Sequence, residues 1–265
     1  MTVLQAVLLG LVQGFTEFIP VSSSGHLVLI GRFFGVREGS LTLSALLHLG
    51  TLLPVLVVFR NDIIALIKKP FQKATGLLVV GTLPAVAAAL IFGDAIENLF
   101  ADGSLLGLGF ILTGALLIYA DFASGGKKKE SEMTYADACV VGLLQAAAIA
   151  PGVSRSGAVV TGSLGRGMDR AAAARFSFLL SIPAIAGGAV FALKDVFTGS
   201  GEAALPAGPA ALAAGFAAAS VSGYFAVRLM LNVIQKSKLK YFSYYLFALG
   251  VFLTAERFVF HFRLP

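Results

Sequence analysis

Between Gln13 and His26 the chain reads Gln-Gly-Phe-Thr-Glu-Phe-Ile-Pro-Val-Ser-Ser-Ser-Gly-His, which sets one carboxylate, three consecutive serines and an imidazole inside an otherwise apolar run. Gln13 and Glu17 are four residues apart and share a helical face. Such a pair could hold a divalent cation of the Mg2+ or Ca2+ kind through oxygen, or the carboxylate could act as a base that orients water. One carboxylate is not a full metal site, so phosphate oxygens and water would have to complete it. The plainer reading is a glutamate that stabilises the segment. Ser22, Ser23 and Ser24 are turn residues by default, with at most one of them, Ser23 the candidate, a nucleophile, a role that water and His26 could equally fill. His26 follows the turn directly and can titrate near neutrality. General acid, general base and direct nucleophile are all open to it.

A second polar stretch, Pro151-Gly-Val-Ser-Arg-Ser-Gly157, puts an arginine between two serines before a run that can restart as helix. An uncompensated arginine deep in a bilayer is costly, so Arg155 is expected to pair with an anion or to line a wet cavity. The backbone of Gly152 to Gly157 at a helix N-terminus, the hydroxyls of Ser154 and Ser156 and a guanidinium fork together make a phosphate cradle, to which Ser22 would add a hydroxyl. The competing reading makes Arg155 a strut, paired with Glu17 only to hold two segments together. Of the charges that follow, Arg166, Asp169, Arg170 and Arg175, we take Arg170 as the secondary anion contact. His48 and His261 receive no role.

These residues need elements that carry them to mid-membrane. Val3 to Val12 is only half a span, rising roughly 15 Å as helix against a hydrocarbon core of about 30 Å. Leu27 to Gly35 is another half, and Pro20 and Gly25 break the helix between them. Irregular backbone at that depth survives only when buried in protein or lining a cavity, so the reading is a re-entrant hairpin. Apolar runs at about 41–59, 77–92, 104–120, 172–193, 208–231 and 242–260 supply six spans. Pro54, Pro84 and Pro183 fall inside runs and predict kinks whose freed carbonyls find partners on neighbouring helices. The fold class is therefore all-α and polytopic.

Composition agrees: 57% of the 265 residues are hydrophobic and 13% charged, against roughly 25% charged in a soluble domain. The net charge of +6 does not point to nucleic acid. Eleven of the 20 Lys and Arg lie in the loops 60–73, 121–134 and 228–240, which the positive-inside rule places in the cytoplasm. The acidic loops at 93–103 and 194–206 and both termini are expected outside. The single Cys139 excludes an internal disulfide and reads as a small packed hydrophobe. The N-terminal run, interrupted by Gln13 and Glu17, is not expected to be a cleaved signal.

The linker 125–132 divides the chain into a repeat at 1–124 and another at 133–265. A shift of 132 residues aligns Gly10 with Gly142, Gln13 with Gln145, Ser22 with Ser154, Ser24 with Ser156 and Gly25 with Gly157. With an odd number of crossings in each half the copies are inverted, and the two polar hairpins are predicted to meet at midplane. Such folds include carriers. The alternative to an enzyme is therefore a lipid-carrier flippase or a secondary transporter of an anion, which has little need of Ser23 and His26 together.

The two motifs, Gln13-Gly-Phe-Thr-Glu17 with Pro20-Val-Ser-Ser-Ser-Gly-His26 and then Pro151-Gly-Val-Ser-Arg-Ser156, resemble those of the undecaprenyl-pyrophosphate phosphatases, the bacitracin-resistance membrane phosphatases. The likeness runs on through Phe176-Ser-Phe-Leu-Leu-Ser-Ile-Pro183 and Ser222-Gly-Tyr224. It implies hydrolysis of the terminal phosphate of a C55 polyprenyl pyrophosphate, with a divalent cation, at the outer face of a bacterial inner membrane, which recycles the lipid carrier of wall synthesis. It also implies that Glu17 is required and that His26 and Arg155 are catalytic. The family threonine is replaced by Val159. Thr161, about 200° further round a helix, does not substitute for it. The number of subunits is not legible in the chain.

Overall fold

The computed structural model describes residues 1–35, 41–198 and 207–257. It is helical throughout, with no strand among the described residues. The first half holds α1 (Val3–Phe18), α2 (Ser23–Phe33), α3 (Leu41–Val58), α4 (Arg60–Lys68), α5 (Lys73–Asp102) and α6 (Leu106–Phe122). The second holds α7 (Tyr135–Ala147), α8 (Arg155–Gly165), α9 (Arg170–Thr198), α10 (Pro209–Lys236) and α11 (Lys240–Ala255).

Each polar stretch breaks a helix where its residues dictate. α1 ends at Phe18, and the chain re-enters helix at Ser23 with Ser22 as N-cap, its hydroxyl accepting from Gly25 N at 3.3 Å. α7 ends at Ala147, and α8 starts at Arg155 with Ser154 as N-cap, accepting from Gly157 N at 3.1 Å. Serine is a strong N-cap because its oxygen satisfies a first-turn N–H that has no intrahelical partner. Both restarted helices, Ser23–Phe33 and Arg155–Gly165, have 11 residues, and their starts stand one repeat shift apart.

Among the described residues three helices are long and apolar enough to cross a membrane: Lys73–Ile96 of α5, Arg170–Val190 of α9 and Pro209–Lys236 of α10. Leu43–Val58 with Arg60–Lys68, bent by 81°, makes a fourth if the pair is one span. Two expected loops turn out helical. Arg60 and Lys68 sit on α4 rather than in open chain, and 93–102 continues α5, whose 30 residues reach about 45 Å and so exceed the hydrocarbon thickness. The basic segment after Arg228 is likewise helical as far as Lys236. The acidic segment 194–206 and His261 lie largely or wholly outside the described residues.

Pro54, Pro84 and Pro183 all lie inside helices, and at Pro54 the freed carbonyl has a partner on a neighbouring helix. Pro54 in α3 leaves the carbonyl of Gly50 without its helical donor, and Ser220 of α10 supplies one at 2.8 Å. Small residues bring helices together, as expected of Gly and Ala. A methyl at Gly14 of α1 would stand 2.6 Å from the carbonyl of Ala219 on α10, and one at Gly250 of α11 would stand 2.7 Å from that of Gly107 on α6. A buried cluster including Phe18, Val55, Phe110, Val159, Phe176 and Met230 fills the centre. Cys139, expected to be packed, is instead exposed on the outer side of α7 beside Val140 and Leu143.

Candidate active site

The two hairpin turns meet at one carboxylate. Glu17, 5% exposed near the end of α1, receives the Arg155 guanidinium on Oε1 and the Ser23 hydroxyl on Oε2 at 2.6 Å. Gln13 Nε2, one helical turn earlier, donates to Oε2 at 2.9 Å, and His48 Nε2 of α3 lies 3.4 Å from the same oxygen. Nδ1 of His48 is 2.7 Å from the carbonyl of Ser44, which can only accept, so Nδ1 carries a proton.

This arrangement brings together Gln13, Glu17, Ser23 and Arg155. Among the described residues Glu17 is the hydrogen-bond partner of Arg155 through Nη2 alone. A bare strut would engage the planar fork at both ends, whereas here Nε and Nη1 remain for another anion. The helix starts reinforce this, because α2 begins at Ser23 and α8 at Arg155, both side chains reach Glu17, and the positive ends of both helices therefore lie near that carboxylate.

The remaining predicted residues divide. The hydroxyls of Ser22 and Ser154 cap their helices, and each also pairs with the serine two residues on, Ser24 at 3.3 Å and Ser156 at 3.2 Å. Ser156 also lines a small cavity with Phe18, Pro20, Val160, Ile234 and Leu239. Gly152 takes φ +81°, and its carbonyl is 3.2 Å from the hydroxyl of Thr113 on α6. A methyl at Gly25 would stand 3.3 Å from Gly152 Cα, so the two turns approach closely. His26 donates from Nδ1 to the carbonyl of Ser22 at 2.8 Å, and its Nε2 is 2.7 Å from the hydroxyl of Tyr245 on α11. Ser22 has φ +69° and is the one non-glycine residue at positive φ among the described residues. A strained serine where the turns meet fits a functional constraint.

Arg170 is not brought to this group. It pairs with Asp121 at 2.7 Å and donates to the carbonyls of Ile234 at 2.9 Å and Ser237 at 2.5 Å, closing the end of α10. Asp121 in turn accepts from the N–H groups of Leu239 and Lys240 ahead of α11. Val159 is wholly buried in the apolar cluster, so a hydroxyl there would enter the core.

Thr113 and Tyr245 escape the sequence reading, and His48, singled out there, receives no role in it. Thr113 and Tyr245 did leave a signal, since they are polar residues in apolar runs that stand 132 residues apart. His48 left none, because its counterpart is Leu180.

For a divalent cation the residues fit in part. Gln13 Oε1 is buried without a hydrogen-bond partner and sits on the same helical face as Glu17, so an amide oxygen and a carboxylate are at hand. No group of three or more His, Cys, Asp or Glu is placed to hold a metal among the described residues. Phosphate oxygens and water would have to supply the rest of the shell.

Comparison with known proteins gives one consistent answer. A family model described as Bacitracin resistance protein BacA matches residues 6–252. A protein named undecaprenyl-diphosphatase from Carboxydothermus hydrogenoformans is 49% identical over 248 residues, covering 93% of this chain and 94% of the relative. Undecaprenyl-diphosphatase 4 of Bacillus thuringiensis subsp. konkukian is 43% identical over 255 residues, 96% of this chain and 97% of the relative. The undecaprenyl-diphosphatase of Halothermothrix orenii is 40% identical over 253 residues, with 95% and 96% covered.

Proposed function

The chain belongs to the bacitracin resistance protein BacA family, and from that membership and the paired turns we infer that it is an undecaprenyl-diphosphatase, hydrolysing undecaprenyl pyrophosphate to the monophosphate and inorganic phosphate. The observation that carries the reading at the level of chemistry is the 2.6 Å bond from Ser23 to a carboxylate whose other oxygen holds Arg155. A carrier needs the arginine to bind an anion. It has no use for a hydroxyl aimed at a base.

In the reaction we envisage, the terminal phosphate lies between the starts of α2 and α8, against the open edge of Arg155. Ser23 Oγ attacks its phosphorus as the proton passes to Glu17 Oε2. The Ser–O–P bond forms, the anhydride P–O bond breaks, and the lipid monophosphate leaves as an anion. Glu17 then releases that proton to solvent; water attacks the phosphoserine, Glu17 takes a proton from it and passes it to Ser23 Oγ as the Ser–O–P bond breaks, and phosphate departs. Arg155 and the two helix N-termini face the charge that builds on the equatorial oxygens. His26 stands behind the turn, its Nδ1–H holding the carbonyl of Ser22. A Mg2+ or Ca2+ ion bound by Gln13 and Glu17 would neutralise phosphate charge.

Several structural particulars belong to the same proposal. Apart from α4, which has no separate counterpart, the helix order of the first half recurs in the second, with the first two starts displaced by the sequence shift and the others by that shift to within four residues. This supports an inverted repeat of 1–124 and 133–265, joined by 125–132, with α1–α2 and α7–α8 as re-entrant hairpins beside six spans. By the loop charges the site opens to the outer face of a bacterial inner membrane, where the lipid headgroup would enter.

Purified protein supplied with undecaprenyl pyrophosphate is expected to release one phosphate per lipid. Chelator should lower the rate by at least about tenfold, and added Mg2+ or Ca2+ should restore it. Full turnover in chelator would remove the cation from Gln13 and Glu17. Absence of release with every cation would favour the carrier.

A further inference from the structure

We propose that Tyr245 is a positioning residue for the serine turn and acts through His26. The hydrogen bonds between them run in one direction. The carbonyl of Ser22 can only accept, so His26 Nδ1 carries a proton and the lone pair of the neutral ring lies on Nε2. The Tyr245 hydroxyl, 2.7 Å away, donates to that lone pair. Tyr245 therefore selects the tautomer that can hold Ser22, and Ser22 has the positive φ that turns Ser23 toward Glu17.

The ring has little freedom to choose otherwise. It stacks on Tyr245 with centroids 5.7 Å apart and an interplanar angle of 22°, and it meets Phe110 of α6 edge-on at 5.4 Å and 74°. Rotation of the imidazole would break both contacts and both hydrogen bonds.

The second hairpin makes the same point independently. Thr113 on α6 accepts from Ser154 N at 2.9 Å and lies 3.2 Å from the carbonyl of Gly152, so a hydroxyl from α6 holds the α7–α8 turn. Tyr245 occupies the corresponding position on α11, one repeat shift later, and holds the α1–α2 turn. The position matching His26 in the second hairpin is Ala158, which has no polar group. There the hydroxyl reaches the backbone directly, whereas in the first hairpin an imidazole spans the gap. The last helix of each half thus fixes the turn of the other half, and only the link on the reactive side contains a titratable ring.

The inference rests on Ser23 and Glu17 being the reacting pair. Tyr245→Phe keeps the stacked ring and removes the hydroxyl. Loss of that one hydrogen bond is expected to lower kcat about three- to tenfold, with KM little changed because Tyr245 does not face the phosphate. Nitrogen NMR of histidine-labelled protein, which has three histidines, supplies the readout that a packing role would not move. In the wild type His26 should be protonated at Nδ1, and in Tyr245→Phe its Nε2 resonance should shift toward that of an unbonded lone pair. A wild-type kcat with an unmoved resonance would overturn the proposal. So would a proton on Nε2 in the unaltered protein, a result that needs no variant to fold. Failure of the underlying reading looks different: Glu17→Gln would keep its turnover, while a shifted resonance would still support the hold of Tyr245 on His26.

Discussion

Replacing Glu17 by Gln is expected to lower phosphate release by about a thousandfold or more, because one carboxylate serves both as the base for Ser23 and as the counter-ion of Arg155. Three donors converge on it, from Arg155, Ser23 and Gln13, and His48 Nε2 stands 3.4 Å away. Glutamine has nearly the same shape but offers one acceptor oxygen and an amide that faces those donors, so at least one contact becomes donor against donor. The Ser23 proton then has no acceptor of sufficient basicity. Breaking a fully buried pair costs about 3–5 kcal/mol. The Arg155 side chain is 18% exposed, so water at the turn lessens that cost, and the close α1–α10 packing is untouched. The variant should therefore remain folded in detergent. Turnover near wild type in folded protein would make the pair a strut; loss of folding would make Glu17 structural first.

Arg155→Lys is expected to retain the charge and lose about 10²- to 10³-fold in kcat, the usual effect of removing one donor from a transition-state site. Lysine reaches Glu17 with a single ammonium. In the native protein Nη2 is bonded to Glu17, while Nε and Nη1 have no hydrogen-bond partner among the described residues. An ammonium cannot serve both sides with fixed geometry, so either the phosphate or the carboxylate loses its partner. Measuring kcat and KM separately tests this, because a donor to the developing charge affects kcat more than KM. A change confined to KM would make Arg155 a docking residue.

Much of this arrangement was legible in the chain. Pro20 and the Ser22 cap mark the break of the first hairpin, and Pro151, Gly152 and the Ser154 cap that of the second, whereas Gly25, expected at the break, lies inside α2. The reason is local: caps, turns and half-length apolar runs write themselves into adjacent residues. The meeting of Glu17 and Arg155 across 138 positions followed from the repeat and from the cost of a lone arginine in lipid. What could not be read was which polar residue of an apolar span would face the turns. Tyr245 reaches His26 across 219 positions, and nothing near either residue records the contact. His48 looked like an ordinary polar group on a span until α3 packed beside Glu17. Arg170 followed the second motif closely enough to suggest an anion contact, yet it is bound by Asp121 and the end of α10. Charge ends a hydropathy run, so the segments 60–73 and 93–103 present as loops in the chain, but charge does not end a helix, and α4 and α5 run through much of them.

The most direct test follows the phosphoryl group itself. Purified protein is mixed with undecaprenyl pyrophosphate radiolabelled in its terminal phosphate, quenched in acid at a series of times, and digested. The expected result is acid-stable label on the peptide containing Ser23, appearing no later than free phosphate and absent when Glu17 is replaced by Gln. Free phosphate released at the full rate with no labelled protein at any quench time, or label on a peptide without Ser23, would contradict the account.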